Sequence, residues 1–220
     1  MMKLSDTTVN ILKNFSTINQ NILVKSGSQL QTMSTMKNIL GTAAVPETFP
    51  RDFGIYDLNE FLGVMTLVND ADIEFNDSYL TLNGGETKVR YFYSDPSILT
   101  TPPETFNAPV CDVTFKMPQD VLTKVLKASA VMQLPDIVFT GTSQHITVAV
   151  TDKKNTTSNE YMESLPNETP TDKAFWLNFK ADNLKVIPGD YDVSASTEAG
   201  VSNWEGTKAS YWIAMEANGD

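Results

Sequence analysis

The chain has 220 residues, 27 acidic side chains against 16 basic ones, and a formal net charge of −11. At 41% hydrophobic and 20% charged it can bury a real core, which excludes wholesale disorder; its acidity excludes a generally basic nucleic-acid coat and leaves local basic patches open. One cysteine, Cys111, excludes an intramolecular disulfide framework, and one histidine, His145, excludes a multi-histidine metal centre.

The N-terminal stretch carries no apolar run of signal-peptide length, because Asp6, Asn10, Lys13 and Asn14 interrupt it. It predicts a helix instead. Ser5 or Asp6 can cap it, and Val9, Ile11, Leu12, Phe15 and Ile18 recur at spacings of three and four. Lys3, Asp6, Asn10, Lys13, Asn14 and Thr17 gather on the opposite side. Strands follow over 22–25 and 29–33, joined by a turn at Ser26-Gly27-Ser28. A second helix starts from Asp57 as cap and buries Leu58, Phe61, Leu62 and Met65, with Gly63 pointing to close packing. Strands over 73–75, 79–82 and 88–93 come next, with Asn83-Gly84-Gly85 as a hairpin turn.

From 94 to 109 the text changes character. Pro96, Pro102, Pro103 and Pro109 cannot sit in central strands, and periodicity is lost. The stretch reads as an extended connector between two domains, 1–108 and 109–220. The second half then repeats the grammar of the first. A strand over 113–116 leads to a helix opened by Pro118 and running to about Met132, with Val121, Leu122, Val125, Leu126 and Met132 on its apolar side. Strands over 137–140 and 146–150, a polar loop over 152–159 and a strand over 175–179 follow. A short helix over 181–186 ends at Pro188-Gly189, and strands over 191–196 and 211–216 close the set. Each half thus holds two helices and many strands, an α+β pseudo-repeat of architecture rather than of residues. No stretch approaches the roughly 18–20 apolar residues of a membrane span. The Asn155 and Asn167 sequons read as coincidence in what is expected to be an intracellular, soluble protein.

Catalytic chemistry finds little support. A Ser-His-Asp hydrolase would need His145, whose place in an alternating segment predicts a solvent-facing position, and no Gly-x-Ser-x-Gly elbow occurs. Cys111 reads as a small buried hydrophobe. Asp70, Asp72 and Glu74 alternate onto one side of a strand, yet in so acidic a chain they read as solvated charge. Gly84-Gly85 lacks the lysine and helix of a phosphate loop. No catalytic residue, cofactor or metal is expected.

The basic residues say more. The predicted helical segments 3–18, 116–131 and 180–187 together carry a charge of +4, leaving −15 for the rest. A solvated lysine face accounts for this, and so does a surface that presents lysines to phosphates. Flexible lysines with Asn10 and Asn14 suit sequence-independent contact, since phosphates carry no base information.

Certain motifs then fall into a pattern. Lys3-Leu4-Ser5, Leu12-Lys13-Asn14-Phe15, Thr17-Ile18-Asn19, Lys25-Ser26-Gly27, Ile55-Tyr56-Asp57-Leu58-Asn59, Phe61-Leu62-Gly63 and Leu67-Val68-Asn69-Asp70 resemble the DNA polymerase sliding clamps of T4-type bacteriophages. Pro188-Gly189-x-Tyr191, Glu205-Gly206 and Ala214-x-Glu216-Ala217 continue the resemblance near the end. It spans the chain and departs most over 77–112 and 152–172. It implies an α+β fold of two similar clamp-type domains, with antiparallel sheets outside and helices lining the pore of a head-to-tail homotrimeric ring. It implies a non-enzymatic processivity factor that encircles duplex DNA, tethers the DNA polymerase, and is opened by a separate ATP-dependent clamp loader. It also implies a mobile activator of late viral transcription through RNA polymerase accessory factors, in the cytoplasm of the infected bacterial host.

The resemblance carries Lys3, Lys13, Lys127 and Lys185 onto basic pore positions, and helix geometry alone adds Lys124. For the partner-binding pocket near the connector the nominees are Ile98, Leu99, Phe106 and Val110, with filling of a loop core as the alternative. For the subunit interface they are Tyr91, Phe92 and Tyr93, which ordinary core aromatics explain as well. A non-ring scaffold of the same fold that binds proteins, and an acidic-site hydrolase using Asp70 or Asp72, are the rival readings.

Overall fold

The computed structural model describes residues 1–68, 70–142, 145–165 and 174–217; the Asn167 sequon, Asn69, and Ser143 and Gln144 beside His145 lie outside them. The chain divides into two compact units, Met1–Glu104 and Thr105–Asp220.

Unit 1 opens with α1 (Asp6–Ile18). The Ser5 hydroxyl accepts the Thr8 N–H at 3.2 Å, and Ile11, Leu12, Phe15 and Ile18 are buried, as the spacing predicts. Strands β1 (Ile22–Val24), β2 (Gly27–Met33), β3 (Ile39–Phe49) and β4 (Phe53–Ile55) follow, with β1 antiparallel to β4 and β2 to β3. Next is α2 (Leu58–Thr66), whose cap Asp57 accepts the N–H groups of Asn59 and Glu60 at 3.0 Å. Strands β5 (Asp72–Phe75), β6 (Tyr79–Gly84) and β7 (Thr87–Phe92) form a sheet in sequence order that leaves β7 at an edge. Met2 forms an antiparallel bridge with Ile73 on β5. Phe49, Phe53 and Phe75 pack in one cluster, 5.3–6.3 Å between ring centroids.

Unit 2 runs β8 (Val113–Met117), α3 (Gln119–Met132), β9 (Asp136–Gly141), β10 (Ile146–Thr151), β11 (Tyr161–Leu165) and β12 (Phe175–Lys180), then a 3₁₀ turn, Ala181–Asn183. It ends with β13 (Tyr191–Ser196), β14 (Val201–Gly206) and β15 (Ser210–Ala214). One sheet has the order β11-β10-β9-β12; in the other, β13 lies between β8 and β14, and β15 follows β14. The core is aromatic: Phe139 is fully buried and lies 5.1, 5.7 and 6.1 Å from the rings of Phe115, Phe179 and Trp204. Its polar handles are paired. The Tyr191 hydroxyl donates to the Ile187 carbonyl, the Tyr211 hydroxyl accepts the Ile187 N–H, and the Trp204 indole donates to Ser202.

Several expectations need correcting. The helix expected over 181–186 is one 3₁₀ turn, because Val186 and Ile187 are β-branched and Pro188 cannot continue a helix. Gly63 does not mediate close packing: it is exposed, and a Cβ there would meet nothing within 4 Å. The β6–β7 turn is at Gly85-Glu86, with Gly85 at φ +57, rather than at Asn83-Gly84-Gly85. Strands β3, β4, β11 and β14 lie outside the segments that the sequence predicts as strands; β3 alternates Ile39, Gly41, Ala43 and Val45 inward, and its two central inward residues are too small for it to read as a hydrophobic strand.

Candidate functional site

The exposed side of α1 holds Asn10, Lys13 and Thr17, and that of α3 holds Thr123, Lys124 and Lys127. Each helix is anchored from a distant element. Glu47 on β3 accepts hydrogen bonds from the Ser5 N–H and the Thr8 hydroxyl. Burial pushes the Glu47 carboxyl up, but these bonds outweigh it and hold the group below the usual carboxylate range. At α3 the cap residue Pro118 offers no side-chain bond, and the Asp190 carboxylate accepts the Gln119 N–H at 2.8 Å.

The helices concentrate less positive charge than expected. Ser5 and Pro118 start them after Lys3 and Lys116, while Lys180 and Lys185 flank the 3₁₀ turn; within the helix bounds α1 holds Lys13 and Asp6, and α3 holds Lys124, Lys127 and Asp120. The five nominated lysines differ in state. Lys13 and Lys127 are exposed, and among the described residues neither has a carboxylate within ion-pair reach. Lys3 donates to Asp70 at 2.5 Å, and Lys124 donates to Glu163 at 3.0 Å. These hydrogen bonds raise both ammonium groups above the ordinary lysine range. Lys185 is exposed in the segment after the 3₁₀ turn.

The four partner-binding nominees are not alike. Ile98 and Val110 are 59% and 89% exposed, whereas Leu99 is 8% exposed and lies so close to Gly54 that a Cβ there would be 2.7 Å from it. Leu99 therefore belongs to the interior of unit 1, and the start of the connector is pinned rather than free. The Asn21 side chain accepts the Thr100 N–H at 2.9 Å, and the Asn19 amide donates to the Thr100 carbonyl at 3.4 Å. Phe106, in unit 2, packs its ring 5.0 Å from that of Trp212. Ile98 and Leu99 belong to unit 1, Phe106 and Val110 to unit 2.

Of the interface nominees, Tyr91 and Tyr93 are half-buried and Phe92 is 65% exposed. The Tyr91 ring packs edge-on against Phe61 and its hydroxyl donates to the Asp57 carbonyl at 3.3 Å; burial pushes the phenol up to about 12. Tyr93 packs 5.4 Å from Phe53. Phe92 is the exposed one of the three, its ring 5.5 Å from that of Tyr79, and with Tyr91 it lines a cleft of about 360 Å³ beside Tyr56 and Arg90.

Sequence reasoning missed a second cleft, of about 260 Å³, in unit 2. It is lined by Trp176, Asn178, Thr197, Gly200, Met215 and Glu216, among others. Trp176 is 51% exposed, with the Lys153 ammonium 5.5 Å from its ring centroid. Asn178 is 3% exposed, and its side-chain oxygen has no hydrogen-bond donor. The Glu216 N–H donates to the Asn178 carbonyl at 2.8 Å, tying the C-terminal segment to β12. An exposed tryptophan in a strand was the available signal.

His145 is exposed, as expected, but Cys111 is half-buried rather than buried, with its sulfur 3.8 Å from the Pro109 carbonyl oxygen. Asp70 is ion-paired with Lys3 at the surface. No group of three metal-ligating side chains occurs among the described residues, and no helix there is long and apolar enough to cross a membrane.

Residues 3–99 match the DNA polymerase processivity factor family, and residues 114–217 match the C-terminal domain of the gp45 sliding clamp. The chain is 32% identical to the sliding clamp of Vibrio phage KVP40, over 98% of this chain and all of that one. It is 30% identical to the sliding clamp of Enterobacteria phage T4, over 99% and 98% of the two chains. Among solved structures, A. fulgidus PCNA, bound to the C-terminal region of FEN-1, superposes with a TM-score of 0.71 over 96% of both chains, at 11% identity.

Proposed function

Given that the chain belongs to the sliding-clamp family of T4-like phages, the DNA polymerase processivity factors, we propose that it closes into a head-to-tail homotrimer around duplex DNA and tethers the replicative polymerase. The observation that carries this reading is the match to phage clamps over nearly the whole chain, which spans both units rather than one. Duplex DNA meets the exposed faces of α1 and α3, with Lys13 and Lys127 as the principal phosphate contacts and Lys3, Lys124 and Lys185 around them. So few contacts per subunit keep the ring mobile, and retention comes from topology rather than affinity.

The edge strand β7 supports the subunit seam: an edge offers unpaired N–H and C=O groups to another chain, and Phe92 adds an exposed aromatic beside them. For the polymerase tail the Trp176 cleft is a second candidate receptor beside the connector residues, because an exposed aromatic lines it together with Asn178, whose side-chain oxygen has no donor. Ile98 and Val110 stay exposed apolar candidates for partner contact, while Phe106 packs on Trp212 and Leu99 is buried within unit 1. Loading by a separate ATP-dependent loader, recruitment of RNA polymerase accessory factors, a domain boundary near 108–109 and residence in the host cytoplasm belong to the same proposal. The protein performs no chemistry in it.

Native mass measured over a range of protein concentrations tests the ring. A species of about 73 kDa, three times 24.3 kDa, is expected. A 24.3 kDa monomer at every concentration would instead favour a protein-binding scaffold without a ring. Lys13→Glu with Lys127→Glu should preserve the trimer and shorten its residence on circular DNA; unchanged residence would remove the two helices from the DNA face.

A further inference from the structure

Lys3 and Lys124 are held in ways that Lys13 and Lys127 are not. The Glu163 carboxylate receives Lys124 on one oxygen at 3.0 Å and the Tyr161 hydroxyl on the other at 2.5 Å, so the carboxylate is oriented from two sides. These same bonds, Tyr161 first and Lys124 second, hold the Glu163 carboxyl below its ordinary range. At the other site the Met2 and Ile73 backbones exchange hydrogen bonds of 3.0 and 2.7 Å, which brings residue 3 beside the turn before β5. Asp70 occupies that turn at φ 53, a left-handed conformation that aspartate tolerates better than most residues.

We infer that Asp70 and Glu163 are built-in counter-charges that hold Lys3 and Lys124 back from DNA phosphates, so that each subunit meets the duplex with a weaker field than its lysines alone would give. The inference rests on the proposed DNA-facing surface. Lysine binds DNA by displacing condensed counterions from phosphates, and a lysine already neutralised by a carboxylate must first give up that partner. Exposed ion pairs are weak, so the carboxylates attenuate the contact and do not block it. A ring that has to move along DNA gains from this, because every firm phosphate contact is a contact to be broken at the next step.

The test is a fluorescence-anisotropy titration of a short labelled duplex with the full chain at a series of salt concentrations. Asp70→Asn and Glu163→Gln should each tighten binding roughly twofold to fivefold at low salt. Each should also steepen the slope of log K against log salt by about 0.9 per lysine released to a phosphate. Adding Lys124→Gln to Glu163→Gln should cancel the gain. Unchanged affinity and slope in both carboxylate variants would overturn the inference. So would an equal gain from Glu205→Gln, an exposed acid that serves as a control for net charge, or a gain that survives Lys124→Gln. Lys13→Glu with Lys127→Glu separates the two levels. If it weakens binding while the carboxylate variants match the wild type, only the counter-charge inference fails; if it changes nothing, the DNA-facing surface fails and takes the inference with it.

Discussion

The two units follow one plan and finish it differently. Unit 1 runs helix, four strands, helix, three strands; unit 2 runs the same course behind an extra strand, with its second helix shrunk to Ala181–Asn183. The extra strand has a vestige in unit 1, since β8 pairs with β13 and Met2 alone pairs with Ile73 of β5, the strand in the corresponding place. One architecture thus tolerates both a nine-residue helix and a single turn between its fourth strand and its last three. What differs is how each unit secures itself. Unit 1 relies on end caps, through Ser5, Glu47 and Asp57, and a small phenylalanine cluster; unit 2 relies on a larger aromatic interior in which the Tyr191 and Tyr211 hydroxyls and the indole N–H of Trp204 are engaged.

That contrast can be broken most severely from the aromatic side. Phe139→Ala removes the ring shared by Phe115, Phe179 and Trp204 and should cost about 3–5 kcal/mol, read by denaturant unfolding of unit 2. A loss below about 1 kcal/mol would mean that unit 2 does not depend on this cluster.

Glu47→Ala attacks the capping strategy and should cost about 1 kcal/mol. Because the folded-state pKa of Glu47 is depressed, its contribution is present above the ordinary carboxylate range and lost as pH falls through the depressed value. Thermal unfolding of the variant should therefore be flatter across the acid limb than that of the wild type. Parallel acid limbs would assign the cap no charged component.

The mildest change sharpens the comparison. Gly63→Ala in the exposed middle of α2 should stabilise unit 1 by about 0.5–1 kcal/mol, since nothing stands within reach of the new methyl. A destabilised variant would show that the helix needs the glycine after all.

Much of this was legible in the chain. Local signals located α1, α2 and α3, because Ser5, Asp57 and Pro118 act within one turn of themselves. The strand β3 was hidden, because Gly41 and Ala43 are inward by pairing with β2 and not by their own hydrophobicity. The charge grouping failed for a related reason: helix boundaries moved Lys3 and Lys116 off the helices, and Asp70 and Glu163 reach their lysines from 67 and 39 residues away. Periodicity carries no information about such partners. The Trp176 cleft was equally silent, since Thr197, Met215 and Asn178 converge only once β12, the β13–β14 turn and the C-terminal segment are folded.

All three tryptophans, Trp176, Trp204 and Trp212, lie in unit 2. Light emitted by this protein on indole excitation is therefore a report from one half of the molecule, while the other half stays dark. Trp204, fully buried, should shine blue and shielded from aqueous quenchers; Trp176, half in solvent beside an ammonium, should shine red and be readily quenched. Emission therefore follows the surroundings of unit 2 side chains, whereas peptide backbone absorption follows both halves. The same asymmetry makes Trp176 an internal dye for whatever enters its cleft.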